Sequence, residues 1–279
     1  MVDHNRVISQ LLAEGTQRIE TVSDSPLLDC QLLLCHSIDK GREWLYSHAD
    51  EALTITQAET FETLLSRRER GEPLAYITGH RYFWQREFRV TPATLIPRPE
   101  TELLVETLLL RRAGSPLQVL DLGTGSGAVA ISLAAERPAW QVIAIDSSAS
   151  ALAVAAGNAA ELDNIGFQLG HWCEGLDQNS FDIIVSNPPY VADTDPHLEA
   201  LAFEPADALK AGADGLDCIR EIVPAGYDCL KGNGLLMIEH GYDQQDEVAQ
   251  LFADAGFLGI ECLTDLGGVP RAVLGTKPE

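Results

Sequence analysis

The chain has 279 residues, of which 46% are hydrophobic and 22% charged, enough for one large globular domain and a small one. Its longest apolar runs, such as Leu32-Leu33-Leu34 and Val142-Ile143-Ala144-Ile145, fall far short of the ~20 residues of a membrane span. The net charge, 19 − 42 = −23, opposes phosphate backbones at long range and so disfavours bulk nucleic-acid binding. Such acidity suits a solubilising surface, as in a saline habitat, or attraction of a basic protein partner. The start, Met1-Val2-Asp3-His4-Asn5-Arg6, lacks the basic end and apolar core of a secretory signal, so a cytoplasmic protein without membrane contact is expected. The six cysteines show no Cys-x-x-Cys spacing and the seven histidines are scattered, which predicts buried free thiols and no metal.

Residues 1–75 read as a small helical domain. Val7, Ile8, Leu11 and Leu12 repeat at helical spacing, with Gly15 as the expected stop. Ser25-Pro26 predicts a second helix start, and Thr56 with Glu59 a capping box before Phe61, Leu64 and Leu65. Gly71 and Pro73 close that run. Residues 76–95 read as a β-hairpin linker, with Tyr82-Phe83-Trp84 and Glu87-Phe88-Arg89-Val90 flanking Gln85-Arg86. Residues 96–279 form the third segment. Pro97-Arg98-Pro99 precedes a helix opening at Glu100-Thr101-Glu102, and residues 113–116 are a short break. Strands are then predicted at 119–122, 142–145, 181–185 and 235–238, alternating with helices at 127–136, 148–161, 215–230 and 243–255. Two final strands, 259–263 and 271–274, have no helix between them and should pair antiparallel. The pattern is that of a doubly wound, Rossmann-like α/β domain with a mostly parallel sheet.

Asp121-Leu122-Gly123-Thr124-Gly125-Ser126-Gly127 falls at the first strand-to-helix junction, where open sheets place their ligands. Its glycines permit positive φ and close approach of a cofactor. Asp146 closes the next strand and suits hydrogen bonds from a ribose hydroxyl pair. Counting from Gly123 or Gly125, the third place of a dinucleotide fingerprint falls on Ala128 or Ala130, which leaves NAD open on spacing alone. Asp121 favours S-adenosylmethionine. An acid before the turn is awkward beside a pyrophosphate but suits an ammonium group.

Asn187-Pro188-Pro189-Tyr190 follows the fourth predicted strand, at the same sheet edge. An amide or exocyclic amine nitrogen is a poor nucleophile because its lone pair is delocalised. A site can accept both its N–H hydrogens, on the Asn187 side-chain oxygen and the Pro188 carbonyl, and so stabilise positive charge developing on nitrogen. The prolines restrict the backbone holding those acceptors, and Tyr190 offers an aromatic face to a planar group. The tetrad therefore predicts methyl transfer to a planar nitrogen, with Asn187, Pro188 and Tyr190 as catalytic candidates and all four residues against the substrate.

The chain resembles the protein-(glutamine-N5) methyltransferases of the PrmC/HemK type over nearly its whole length. The likeness runs through Glu72 to Gly79, Leu95 to Glu102, Asp121 to Gly127, Asn187 to Tyr190, Phe203-Glu204-Pro205 and Glu239-His240-Gly241. It implies a class I S-adenosylmethionine-dependent methyltransferase domain with a seven-stranded sheet, and a helical N-terminal domain that docks the substrate. That substrate would be the Gly-Gly-Gln glutamine of class 1 peptide chain release factors, and the cofactor product S-adenosylhomocysteine. By position, Gly123, Thr124, Gly125, Ser126, Gly127 and Asp146 would contact the cofactor, Trp172 would lie beside the adenine, and Asn187 would touch cofactor and glutamine. A monomer without direct nucleic-acid contact is expected. The chain departs from the family at Ala202, where an arginine usually precedes Phe-Glu-Pro, and in a shortened Val191–Ala202 stretch. The alternatives are an N-methyltransferase of nucleic-acid bases, an NAD-dependent oxidoreductase and a non-catalytic cofactor-binding scaffold. The first lacks a basic track, the second leaves the tetrad unexplained, and the third predicts an altered tetrad.

Overall fold

The computed structural model describes residues 6–112 and 116–279. The residues 1–5 read for a signal, and 113–115 of the expected break, lie outside the described residues. The chain divides into two compact units after His80.

The first unit consists of α1 (Ile8–Arg18), α2 (Pro26–Ile38), α3 (Arg42–Ser47), α4 (Ile55–Glu69) and α5 (Leu74–Thr78). Ile8, Leu33, Leu34, Phe61 and Leu65 share its core. Gly15 does not stop α1. It is buried within the helix, and a Cβ there would stand 2.6 Å from the Cys30 sulfur and 3.3 Å from Leu65, so it is a close-packing glycine. The cap of α4 is also displaced from its expected place: Thr54 caps and Gln57 answers it, because α4 begins at Ile55, two residues earlier than a Thr56 cap allows. The stretch from residue 76 is helical before it is extended. Tyr76 and Ile77 bury themselves in α5, which ends at Gly79 with φ 81°.

In the second unit, β1 (His80–Phe83) and β2 (Arg86–Arg89) form the expected hairpin, turning at Trp84 with φ 49°. Phe83 and Phe88 are buried in this unit's core, so the hairpin is a packed element and not a free linker. A short 3-10 turn, Pro99–Thr101, leads into α6 (Glu102–Arg111). There follow β3 (Gln118–Leu122), α7 (Ala128–Glu136), β4 (Gln141–Asp146), α8 (Ala149–Asn158), β5 (Ile165–Leu169), β6 (Phe181–Ser186), α9 (Asp217–Cys229), β7 (Leu230–Glu239), α10 (Gln245–Asp254), β8 (Leu258–Thr264) and β9 (Pro270–Thr276).

The seven-stranded sheet has the order β5-β4-β3-β6-β7-β9-β8, parallel except where β9 pairs with β7 and β8. Strand residues alternate between its faces. Val119, Ile183, Val185 and Met237 enter one core, and Leu120, Ile184, Leu236 and Ile238 the other. The strand β5 escaped the pattern reading. It is an edge strand with no fully buried residue, and Gly166 dilutes its apolar alternation. The chain leaves β3 toward β4 on one side and reaches β6 on the other, which makes the carboxyl ends of β3 and β6 the switch point of the sheet. Leu122 is in register with Ile145 on one side and Ser186 on the other. The glycine loop, Asp146 and Asn187 are thereby set side by side.

Candidate active site

Gly123 and Gly125 have φ of 72° and 56°, so the loop depends on glycine for its path. The backbone N–H groups of Gly123 and Thr124 both donate to the Ile145 carbonyl, at 2.9 and 3.0 Å, tying the loop to the end of β4. Asp146 adds a second tie. Its Oδ2 accepts from Gly125 N and its Oδ1 from Ser148 N, each at 2.8 Å. At the neighbouring strand end the buried Ser186 hydroxyl donates to the Leu122 carbonyl at 2.7 Å.

These strand ends open onto a cleft of about 570 Å³. Of the sequence-derived candidates, Gly123, Thr124, Gly125, Ser126, Asp146, Trp172, Asn187 and Pro189 line it. Gly127 does not. It begins α7 with φ 84°, and a Cβ on it would come within 2.5 Å of Ile131 and 3.2 Å of Ala155, so its work is helix packing. Pro188 is buried and Tyr190 half-buried, and neither side chain lines the cleft. The Tyr190 ring packs against the second core and its hydroxyl donates to Glu239 Oε1 at 3.3 Å.

Several lining or supporting residues fall in the Leu95–Glu102 and Phe203-Glu204-Pro205 stretches, which carry the resemblance but assign these residues no role. Thr101 lines the cleft and accepts from Asn187 Nδ2 at 3.0 Å. Arg98, also in the lining, pairs with Glu204, whose Oε2 accepts from Ile96 N at 3.0 Å. That buried carboxylate latches the Phe203-Glu204-Pro205 loop to the Leu95–Glu102 stretch, while Ala202 is exposed one turn away. Motif spacing would not reveal these partners.

Models of two families match the chain: the PrmC N-terminal domain over residues 10–79 and the methyltransferase small domain over residues 99–214. A release factor glutamine methyltransferase from Xylella fastidiosa is 45% identical, covering 96% of this chain and 97% of its own. One from Escherichia coli is 42% identical, covering 95% and 96%. The chain belongs to the release factor glutamine methyltransferase family. A methyltransferase structure from Pyrococcus furiosus, 16% identical, matches with a TM-score of 0.52 over 69% of this chain and 89% of its own, and so shares the fold.

The methyl donor of this class is S-adenosylmethionine, and the residues present fit it. A Cβ on Gly125 would meet nothing within 4 Å, so the backbone there is open to a ligand. Trp172, held at φ 45°, stands against Gly123, whose Cβ would lie 3.3 Å from the indole, and its Nε1 donates to Glu221 at 3.1 Å. This braces an aromatic wall beside the loop. Asp146 keeps lone pairs beyond its two backbone bonds for ribose hydroxyls.

Asp121 is 2% exposed and accepts from the Thr124 hydroxyl at 2.6 Å. Burial pushes its carboxyl up to about 7, the Asp146 charge adding to the effect and the Thr124 hydrogen bond opposing it. A bound ammonium favours the carboxylate form. Below about 7 the free protein carries the extra proton and must release it on binding, so cofactor affinity is expected to weaken with acid, by at most about tenfold per pH unit. Calorimetry across neutral pH checks this, with Asp121→Asn expected to bind more weakly and without that pH dependence.

Proposed function

We propose that this chain transfers the methyl group of S-adenosylmethionine to the side-chain amide nitrogen, N5, of the glutamine in the Gly-Gly-Gln motif of class 1 peptide chain release factors. S-adenosylhomocysteine leaves as the second product. The cofactor, when bound, supplies an electrophilic methyl on a sulfonium. The protein's part is to hold the glutamine amide with both hydrogens engaged and its nitrogen face directed at that methyl.

The observation that carries the reading is the Asn187 amide. Its Nδ2 is occupied by Thr101, which leaves Oδ1 as the acceptor at the cleft, beside the glycine loop. In this reading, Asn187 Oδ1 and the Pro188 carbonyl accept the two hydrogens of the glutamine amide. As nitrogen takes the methyl it gains positive charge, and both acceptors strengthen as that charge develops. The excess proton then passes to solvent. Tyr190 braces the tetrad through its hydroxyl and core contacts. Arg98 and Glu204 support the wall opposite the glycine loop by holding two loops together.

The helical residues 1–75 serve as the docking domain for the release factor, with residues 76–95 leading to the catalytic segment 96–279. Exposed Leu27, Leu28 and Tyr46 offer this unit an apolar contact surface. The net charge of −23 supports a basic protein partner over a nucleic acid. The reading places the protein in the cytoplasm, acting as a monomer. Among the described residues no helix is long and apolar enough to cross a membrane. All cleft residues belong to one unit of one chain.

The test is incubation with labelled S-adenosylmethionine and a recombinant release factor, beside a version carrying Gln→Ala in its Gly-Gly-Gln loop. Label on the first and not the second is expected; label on both, or on neither, refutes the assignment. If the acidic surface steers a basic partner, the association rate should fall steeply with added salt in stopped-flow binding. A flat dependence would reduce the charge to a solubilising role.

A further inference from the structure

The tetrad contains two prolines, and neither brings a backbone N–H to a hydrogen bond. Its hold on the glutamine amide through the Pro188 carbonyl therefore depends on what fixes the segment from outside. Asn187 is tied through its side chain to Thr101. At the other end, the Tyr190 carbonyl accepts from Gln244 Nε2 at 3.0 Å. The N–H of the same peptide group, on Val191, donates to the Leu209 carbonyl at 2.8 Å. A peptide group is planar, so these two bonds set the tilt of the plane in which the tetrad ends.

Gln244 stands outside the cleft, buried at the start of α10. Its Nε2 also donates to the Asp214 carbonyl at 3.2 Å, and its Oε1 accepts from Gly241 N at 2.8 Å. Two carbonyls on one side and an N–H on the other admit only this orientation of the amide. One NH₂ thus gathers both ends of the excursion that the chain makes between Tyr190 and Asp214. Inside it, Ala211 N donates to the Val191 carbonyl and Asp193 N to that of Gly212, each at 2.9 Å, which closes a neck. Beyond the neck lie Pro205, Asp207 and Ala208, which line the cleft. Gly215 completes the junction. It has φ 76°, and a Cβ on it would stand 2.3 Å from the Tyr190 oxygen and 2.7 Å from Gln244 Nε2, so a glycine is what lets the two chain ends come this close.

We propose that Gln244 is a positioning residue for methyl transfer, seating the Tyr190 end of the tetrad and the cleft wall that carries Pro205, Asp207 and Ala208 on one side-chain amide. This rests on the methyl-transfer reading above. Gln244 acts through these two segments and touches neither reactant. Its loss leaves the Val191 N–H and the neck in place, so the tetrad should shift without detaching. A shift of the Pro188 carbonyl turns the glutamine nitrogen away from the methyl, and a misplacement of about 1 Å can cost about 100-fold in rate. The cofactor loop should not follow, because Gly123 and Thr124 are tied to Ile145 and Gly125 to Asp146.

The experiment compares wild type, Gln244→Met, Gln244→Glu and Asn164→Asp in single-turnover methylation of a release factor, with S-adenosylmethionine and release factor both saturating. Methionine keeps the bulk and loses the hydrogen bonds. Glutamate keeps an acceptor for Gly241 N but turns lone pairs on the two carbonyls. Asn164 is the matched control. It is also buried, and its Nδ2 donates to the Ala134 and Trp140 carbonyls at 3.0 Å and to that of Arg137 at 3.3 Å, but it precedes β5, at the end of the parallel strands away from the cleft. All three variants are expected to lower the melting temperature. Both Gln244 variants should lower the rate constant roughly 10- to 100-fold, glutamate the more, with S-adenosylmethionine affinity by calorimetry within about threefold of wild type. Asn164→Asp should keep its rate within about threefold of wild type at a temperature where it is folded. A Gln244→Met that methylates at the wild-type rate overturns the inference alone. So does an Asn164→Asp that loses as much rate as the Gln244 variants, since the loss then follows stability. A Gln244→Met that fails to fold, or that loses the cofactor, assigns the residue to the fold or to cofactor binding and overturns the inference as well. A wild type that leaves the release factor unlabelled overturns the functional reading and this inference together.

Discussion

Replacing Asn187 with alanine is expected to lower the methyl-transfer rate by about 10²–10³-fold, the cost of removing one preorganised polar group aimed at developing charge. The effect should fall on the chemical step. The cleft reaches well beyond Asn187, to the glycine loop, Asp146 and Trp172. Cofactor affinity should accordingly stay within about tenfold of wild type. Alanine also strips the buried Thr101 hydroxyl of its Nδ2–H donor, the loss of one hydrogen bond, which is small against the stability of the whole fold. The fold should survive, and an unchanged melting temperature serves as the control. Rapid-quench measurement at saturating cofactor and release factor gives the rate directly. An Asn187→Ala variant that methylates at the wild-type rate removes the tetrad from the chemistry. One that loses cofactor binding outright relocates its role to the cofactor.

The elements legible in the sequence were those whose signals are local. A buried strand ending in Asp121 and a glycine run, a second ending in Asp146, and a third ending in Asn187 each announce a strand end in a few consecutive residues. The parallel sheet then brings the three ends together without further information, through the register of Leu122 with Ile145 and Ser186. The supporting residues carry no comparable signal. Thr101 and Asn187 are 86 positions apart, and Glu204 meets Ile96 across 108. Glu239 stands in a stretch that carries the resemblance, but only the fold reveals that it is buried against the Tyr190 hydroxyl. Glycine misled at Gly15, where the missing Cβ admits a neighbouring side chain, whereas a sequence pattern presents the same residue as a helix stop. The edge strand β5 was missed because burial, which writes alternation into a sequence, is weakest there.

Replacing Asp146 with alanine is expected to weaken S-adenosylmethionine binding roughly 10- to 150-fold, the range for hydrogen bonds to a charged group of about 1.5–3 kcal/mol. Two contributions combine. Ribose hydroxyls would lose a charged acceptor, and the glycine loop would lose the tie from Gly125 N to Oδ2. The second is local: the Ile145 carbonyl still holds Gly123 and Thr124, so the loop should loosen at Gly125 without detaching. An Asp146→Asn variant helps to separate the two contributions. Its remaining oxygen can keep one backbone bond, but its NH₂ faces the other N–H as a donor and its charge is gone. Calorimetry with S-adenosylmethionine and with a 2′,3′-dideoxy analogue completes the comparison. If Asp146 holds the ribose, the analogue should bind wild type weakly and lose little further in Asp146→Ala. If it only anchors the loop, both ligands should weaken by the same factor in the variant. Unchanged affinity for S-adenosylmethionine itself would refute the ribose assignment and show that the Gly125 tie does not contribute to binding either.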